Sequence, residues 1–163
     1  MRLVALACLV LLVGMLPYAT DRVAGQALLW PAAFTLESRN LFGAVGEWLP
    51  SFAHPFAFSL LTVAVLAPNT APRYGVCASW AAIDVAFELG QHRDIAGHLA
   101  GFLLNDIGAM PLTRPLARYF VHGTFDPLDM AAAVMGSIAA AAVLRGLAKT
   151  PEKADGQFTD ANR

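Results

Sequence analysis

The chain alternates between long apolar runs and shorter segments that hold most of its charge. Four runs stand out, at residues 3–19, 52–67, 74–90 and 127–147. A helix of about 20 residues crosses the hydrocarbon core of a bilayer, and each run reaches that length with its flanking residues. Only helices and closed barrels satisfy their own backbone in lipid. These runs are too continuous for the apolar/polar alternation of barrel strands. The pattern therefore predicts an all-α integral membrane protein with four transmembrane helices in one domain, residues 1–149. The polar segment 150–163, with its proline and glycine, is predicted to be a disordered cytoplasmic tail. The first run has a rival reading. Arg2, an apolar core and small residues at Ala19 and Ala24 also fit a signal peptide. The run exceeds the usual length of such a core, so a retained helix is the reading adopted.

The two long segments between runs are not hydrophilic. Residues 24–50 contain Leu28, Leu29, Trp30, Phe34, Leu41, Phe42 and Trp48; residues 95–121 contain Leu99, Phe102, Leu103 and Leu104. After Pro111, Leu112, Leu116, Tyr119 and Phe120 share one helical face, and Arg114, Arg118 and His122 share the other. Short interfacial helices are expected in both outer loops, lying on the membrane with their apolar faces down. The simpler reading stops there; the sharper one makes the basic face a holder of an anionic headgroup. Arg2, Arg73, Arg145, Lys149 and Lys153 lie in short segments beside the ends of runs. The rule that positive residues stay inside then puts both termini in the cytoplasm. Pro68, Asn69 and Pro72 mark a tight turn on that side.

Composition narrows the class. Hydrophobic residues make up 57% and charged ones 14%, where soluble domains carry about a quarter charged. That excludes a disordered chain and argues against a soluble enzyme domain. The formal net charge of −1 provides no basic field to gather nucleic acid. Cys8 and Cys77 form neither a disulfide framework nor a metal spacing, and no cofactor motif is present.

Charged groups inside apolar runs are expensive and usually face a bundle interior or water. Asp84, Glu88 and Gln91 follow one another at i, i+4 and i+7, on one helical face, with His92 and Arg93 beyond. Asp126, Pro127 and Asp129 read as a helix start, with Asp126 as the cap and Pro127 in the first turn. Ala133, Gly136 and Ala140 continue the face of Asp129 with small residues that permit close packing. His54 precedes Pro55 at the head of the second run. Alternating spans bring His54, Glu88, Gln91 and Asp129 to one depth, near the outer face. The expectation is a polar pocket opening outward beneath the amphipathic loops, with Asp84 deeper and Arg118 and His122 on the lid.

The order of these groups resembles the VanZ-like family of bacterial membrane proteins. The pieces that carry the resemblance are His54, then Phe87-Glu88-Leu89-Gly90-Gln91, then Asp129-Met130-Ala131-Ala132-Ala133-Val134-Met135-Gly136, within residues 52–144. The family's Asn four residues after the Asp is Ala133 here. Its Arg shortly before the Asp has no counterpart in Val121-His122-Gly123-Thr124-Phe125, where His122 is the nearest substitute. The resemblance implies a multi-pass protein of the bacterial inner membrane, placed in the cell envelope.

Four functions remain open at this point. A binding protein would use His54, Asp84, Glu88, Gln91, Arg118, His122 and Asp129 to hold a polar or anionic headgroup, a lipid-linked envelope ligand, a partner membrane protein or a second copy. A membrane enzyme acting on a lipid-linked substrate would use Glu88 as base, His54 as acid and Asp129 to orient; no Ser or Cys nucleophile motif accompanies them. A metal site of His54, Glu88 and Asp129 lacks ligand spacing. A transporter built on Asp84 lacks repeated broken helices. The binding protein is the reading carried forward, without metal or cofactor.

Overall fold

The computed structural model describes residues 1–21, 41–66, 70–107 and 110–148. Residues 22–40, which hold most of the first outer loop, lie outside them, as do Pro68 and Asn69 of the expected turn and the tail. Among the described residues six helices occur: α1 (Arg2–Thr20), α2 (Gly43–Leu66), α3 (Thr70–Gly90), α4 (Arg93–Asn105), α5 (Thr113–His122) and α6 (Pro127–Ala148). No strand occurs among the described residues. Among those residues, α1, α2 and α6 are long and apolar enough to cross a membrane. Helix α3 has 21 residues, but Arg73, Asp84 and Glu88 lower its apolar character.

Two expectations need correction. The second run was expected to begin at residue 52, yet α2 starts at Gly43 and continues through Pro50 and Pro55. A proline inside a helix removes one backbone hydrogen bond and crowds the preceding turn. Both rings are fully buried, and packing against neighbouring helices holds the helix together across them. His54 therefore sits at the middle of α2 rather than at its head. The second difference concerns Leu112, which was assigned to the apolar face of α5. It is 70% exposed at the N-cap position, before the helical register that would turn it inward begins.

Helix α2 is the centre of the bundle, packed against α1 on one side and α6 on the other, while α3 lies chiefly against α6. Their shared core comprises Ala7, Phe56, Ala57, Leu60, Val63, Cys77, Ala140 and Leu144. Lipid tails are as apolar as leucine, so burial alone does not drive such helices together; close backbone approach does. Gly136 shows it. A Cβ there would collide with the Phe52 carbonyl oxygen and lie 3.3 Å from the Phe52 Cα. Only glycine lets α6 approach α2 so closely.

Helices α4 and α5 form a separate hairpin with its own core of Ala96, Ala100, Leu103, Ala117 and Phe120. It joins the bundle at the end of α3. Phe120 lies against Gly90, and its ring meets Phe87 at 5.6 Å.

Candidate functional site

The polar groups of the spanning helices meet where α1 and α3 finish and α2 and α6 begin. Asp126 caps α6 as the sequence predicts: its Oδ1 accepts from the Leu128 N–H at 2.9 Å. The free N–H of Asp126 itself donates to Glu88 Oε1 at 2.6 Å. Glu88 thus sits against the positive end of the α6 dipole, where a carboxylate is favoured. Within the first turn of α6, Asp129 Oδ1 accepts from the Ser51 hydroxyl at 2.9 Å, which ties α6 to α2.

Gln91 makes the third tie. Its side-chain amide donates to the Tyr119 hydroxyl at 2.7 Å, fastening α5 to the end of α3. Gly123 leaves room for this bond, because a Cβ there would run into the Gln91 side chain. Burial, followed by the nearby Glu88 charge, pushes the Tyr119 phenol up to about 12. The phenol is therefore a neutral hydroxyl at any physiological pH.

Asp21 closes the remaining corner. It accepts from the Leu41 N–H at 2.8 Å and the Phe42 N–H at 2.7 Å, joining the end of α1 to the approach of α2. Partial burial opposes ionisation there, yet the hydrogen bonds, led by Phe42, outweigh it and hold the carboxyl below its ordinary value of 3.8.

The structure brings Glu88, Gln91 and Asp129 to one end of the bundle, each already engaged with a neighbouring element. Glu88 and Gln91 are buried. His54 does not join them: its ring stacks on Phe58 at 5.9 Å. Asp84 is half-buried one turn deeper in α3, and its Oδ2 has no hydrogen-bond partner among the described residues. Arg118 and His122 are exposed with Arg114 on the outer face of α5. No group of three metal-ligating side chains occurs among the described residues.

Sequence reasoning passed over three participants. Tyr119 was read as apolar helix face, although a buried tyrosine hydroxyl usually finds a partner. Ser51 sits one turn before His54 and carried no pattern of its own. Asp21 was one charge after an apolar run, and its partners are backbone groups twenty residues away. The arrangement can position a polar rim and present cations above it; its carboxylates act mainly as acceptors between helices. In comparisons with known proteins, no family model, no curated protein and no solved structure matches the chain.

Proposed function

We propose that the chain is a four-span VanZ-like protein of the bacterial inner membrane, with both termini cytoplasmic, whose outer rim binds anionic headgroups. The VanZ-like part rests on the order of His54, Glu88-x-x-Gln91 and Asp129. The binding part rests on one observation: α5 is fastened to α3 through Gln91 and Tyr119 while Arg114, Arg118 and His122 remain exposed. Two guanidinium groups on one short helix match phosphate or carboxylate by paired N–H donors. Helix α5 is strongly amphipathic, and its buried face of Thr113, Ala117 and Phe120 fixes which side turns outward.

Helix α3 completes the fourth span in this reading. It follows α2 after a connection of only three residues, 67–69, so it returns along the same bundle. Its charged groups lie on the half-buried or buried side, and its lipid-facing side is apolar or small: Gly75, Ala78, Ala82, Ile83, Ala86 and Phe87 are exposed.

Native mass spectrometry of the protein in maltoside micelles, titrated with phosphatidylglycerol or phosphatidylcholine, tests the binding. The wild type retains the anionic lipid preferentially. Replacing Arg114 and Arg118 together by alanine removes on the order of 1 kcal/mol each, a loss of tenfold or more in retention. Unchanged retention of phosphatidylglycerol by the double variant would end the proposal.

A further inference from the structure

The seam between α2 and α3 holds a polar group that the ties at the rim leave out. Asp84 Oδ2 is buried and has no hydrogen-bond partner among the described residues. An acceptor stripped of water without a donor is costly, most of all at membrane depth. Its neighbours on α3 do not relieve it, since Glu88 accepts from Asp126 and Gln91 donates to Tyr119.

The register of the seam shows which side chains of α2 and α3 share its level. Trp80 Nε1 donates to Thr62 Oγ1 at 3.0 Å, and the Phe58 ring meets Trp80 at 4.9 Å with a 34° tilt. The two helices run antiparallel. His54 is one turn back along α2 from Phe58 and stacks on it. Asp84 is one turn onward along α3 from Trp80. His54 and Asp84 therefore reach the same level, one turn beyond the Phe58–Trp80 contact. All four side chains are half-buried, so each keeps an edge at the molecular surface. This seam is also looser than the α1–α2, α2–α6 and α3–α6 contacts.

A carboxyl group at the level of indole, phenyl and imidazole rings has a defined complement. A cation carried on carbon places its charge at the carboxylate and its methyl or methylene groups on the π faces. The Thr62 bond fixes the indole orientation before any ligand arrives. Among the described residues no third metal-ligating side chain joins such a group, so a bare metal ion is not the fitting occupant. The geometry points to the α2–α3 seam as a binding site for an ammonium-bearing amphiphile, with Asp84 as counter-charge, Trp80 and Phe58 as the rings against the cation, and the tail along the seam. The ammonium could come from a zwitterionic lipid headgroup or from a free amphiphilic amine. This site selects the opposite charge from the basic face of α5, so either can fail without the other.

The test uses the full chain in maltoside micelles, with Trp fluorescence and native mass spectrometry as readouts. The probes are dodecyltrimethylammonium and an uncharged dodecyl ether of the same tail length. The wild type is expected to bind the ammonium about tenfold more tightly than the ether. Asp84→Asn, nearly isosteric, should erase that preference. Thr62→Val, which releases the indole, should weaken ammonium binding severalfold. Equal binding of the two probes by the wild type overturns the proposal without need of any variant, and so does an Asp84→Asn protein that keeps the preference. A parallel titration with phosphatidylethanolamine separates the sources. Retention that depends on Asp84 assigns the site to a lipid headgroup, and ammonium binding without such retention assigns it to a free amine.

Discussion

At the scale of single residues, the rim is built from hydrogen bonds that each join two elements. Ser51 reaches Asp129, the Asp126 N–H reaches Glu88, and Gln91 reaches Tyr119. Tyr119 offers a spectroscopic handle on this network. Its folded value, about 12, stands above the ordinary 10.0. The stabilisation from keeping it neutral and buried is full below pH 10 and is lost as pH rises toward the folded value. An ultraviolet titration of the three tyrosines should show one ionising near 12, and Tyr119→Phe should delete that step while leaving the others. A wild-type curve with all tyrosines near their ordinary value would show the phenol to be solvated instead. Glu88, Gln91 and Asp129 were legible because polar side chains are rare in apolar runs. Ser51 and Tyr119 were not, since serine and tyrosine are common in membrane helices and only a partner gives them meaning.

At the scale of elements, helix existence followed from apolar run length, but helix limits did not. Helix α2 gained most of three turns at its start because buried packing carried it through Pro50 and Pro55. Local sequence contains the break signals without the neighbours that outweigh them. Helix α5 behaved as its periodicity required, except at Leu112. The contact between α6 and α2 makes a firm demand at one position. Gly136→Ala would force a methyl group against the Phe52 backbone, and backbone cannot swing away as a flexible side chain can. Overpacking of this kind costs about 1–3 kcal/mol. A fluorescence-detected melt in detergent should show a clear loss of thermal stability. Gly75→Ala, where nothing lies near the added methyl group and alanine is the better helix former, should melt no lower than the wild type. Equal melting of both variants would mean that the two helices are farther apart than described.

At the scale of the whole molecule, the bundle has a polar end and an apolar end. The core of Ala7, Val63, Cys77 and Leu144 fills the apolar one, while the ties through Ser51, Glu88 and Gln91 gather at the other. Under the proposed topology the α2–α3 connection faces the cytoplasm with both termini, and the connection between α4 and α5 faces outward. Reporter fusions should therefore give the same cytoplasmic signal at residue 68 and at the C-terminus, and the opposite signal after Asp106. A cytoplasmic signal after Asp106 would remove the outer rim, and with it the headgroup proposal.

Run length, residue charge and helical periodicity are local properties, and from them the sequence alone determined the class of the protein: an all-helical chain rich in membrane-length apolar runs, with an amphipathic helix before the last run. The same periodicity placed Glu88 and Gln91 on one face, and the Asp126-Pro127 pair marked a helix cap. Partnership is not local. That Glu88 meets the Asp126 N–H, that Tyr119 holds Gln91 and that Asp84 Oδ2 lacks a donor among the described residues all depend on how helices distant in the chain come to rest. A hydrogen bond reaches about 3 Å, far less than the uncertainty with which a sequence positions one helix against another, so only the tertiary structure could decide them.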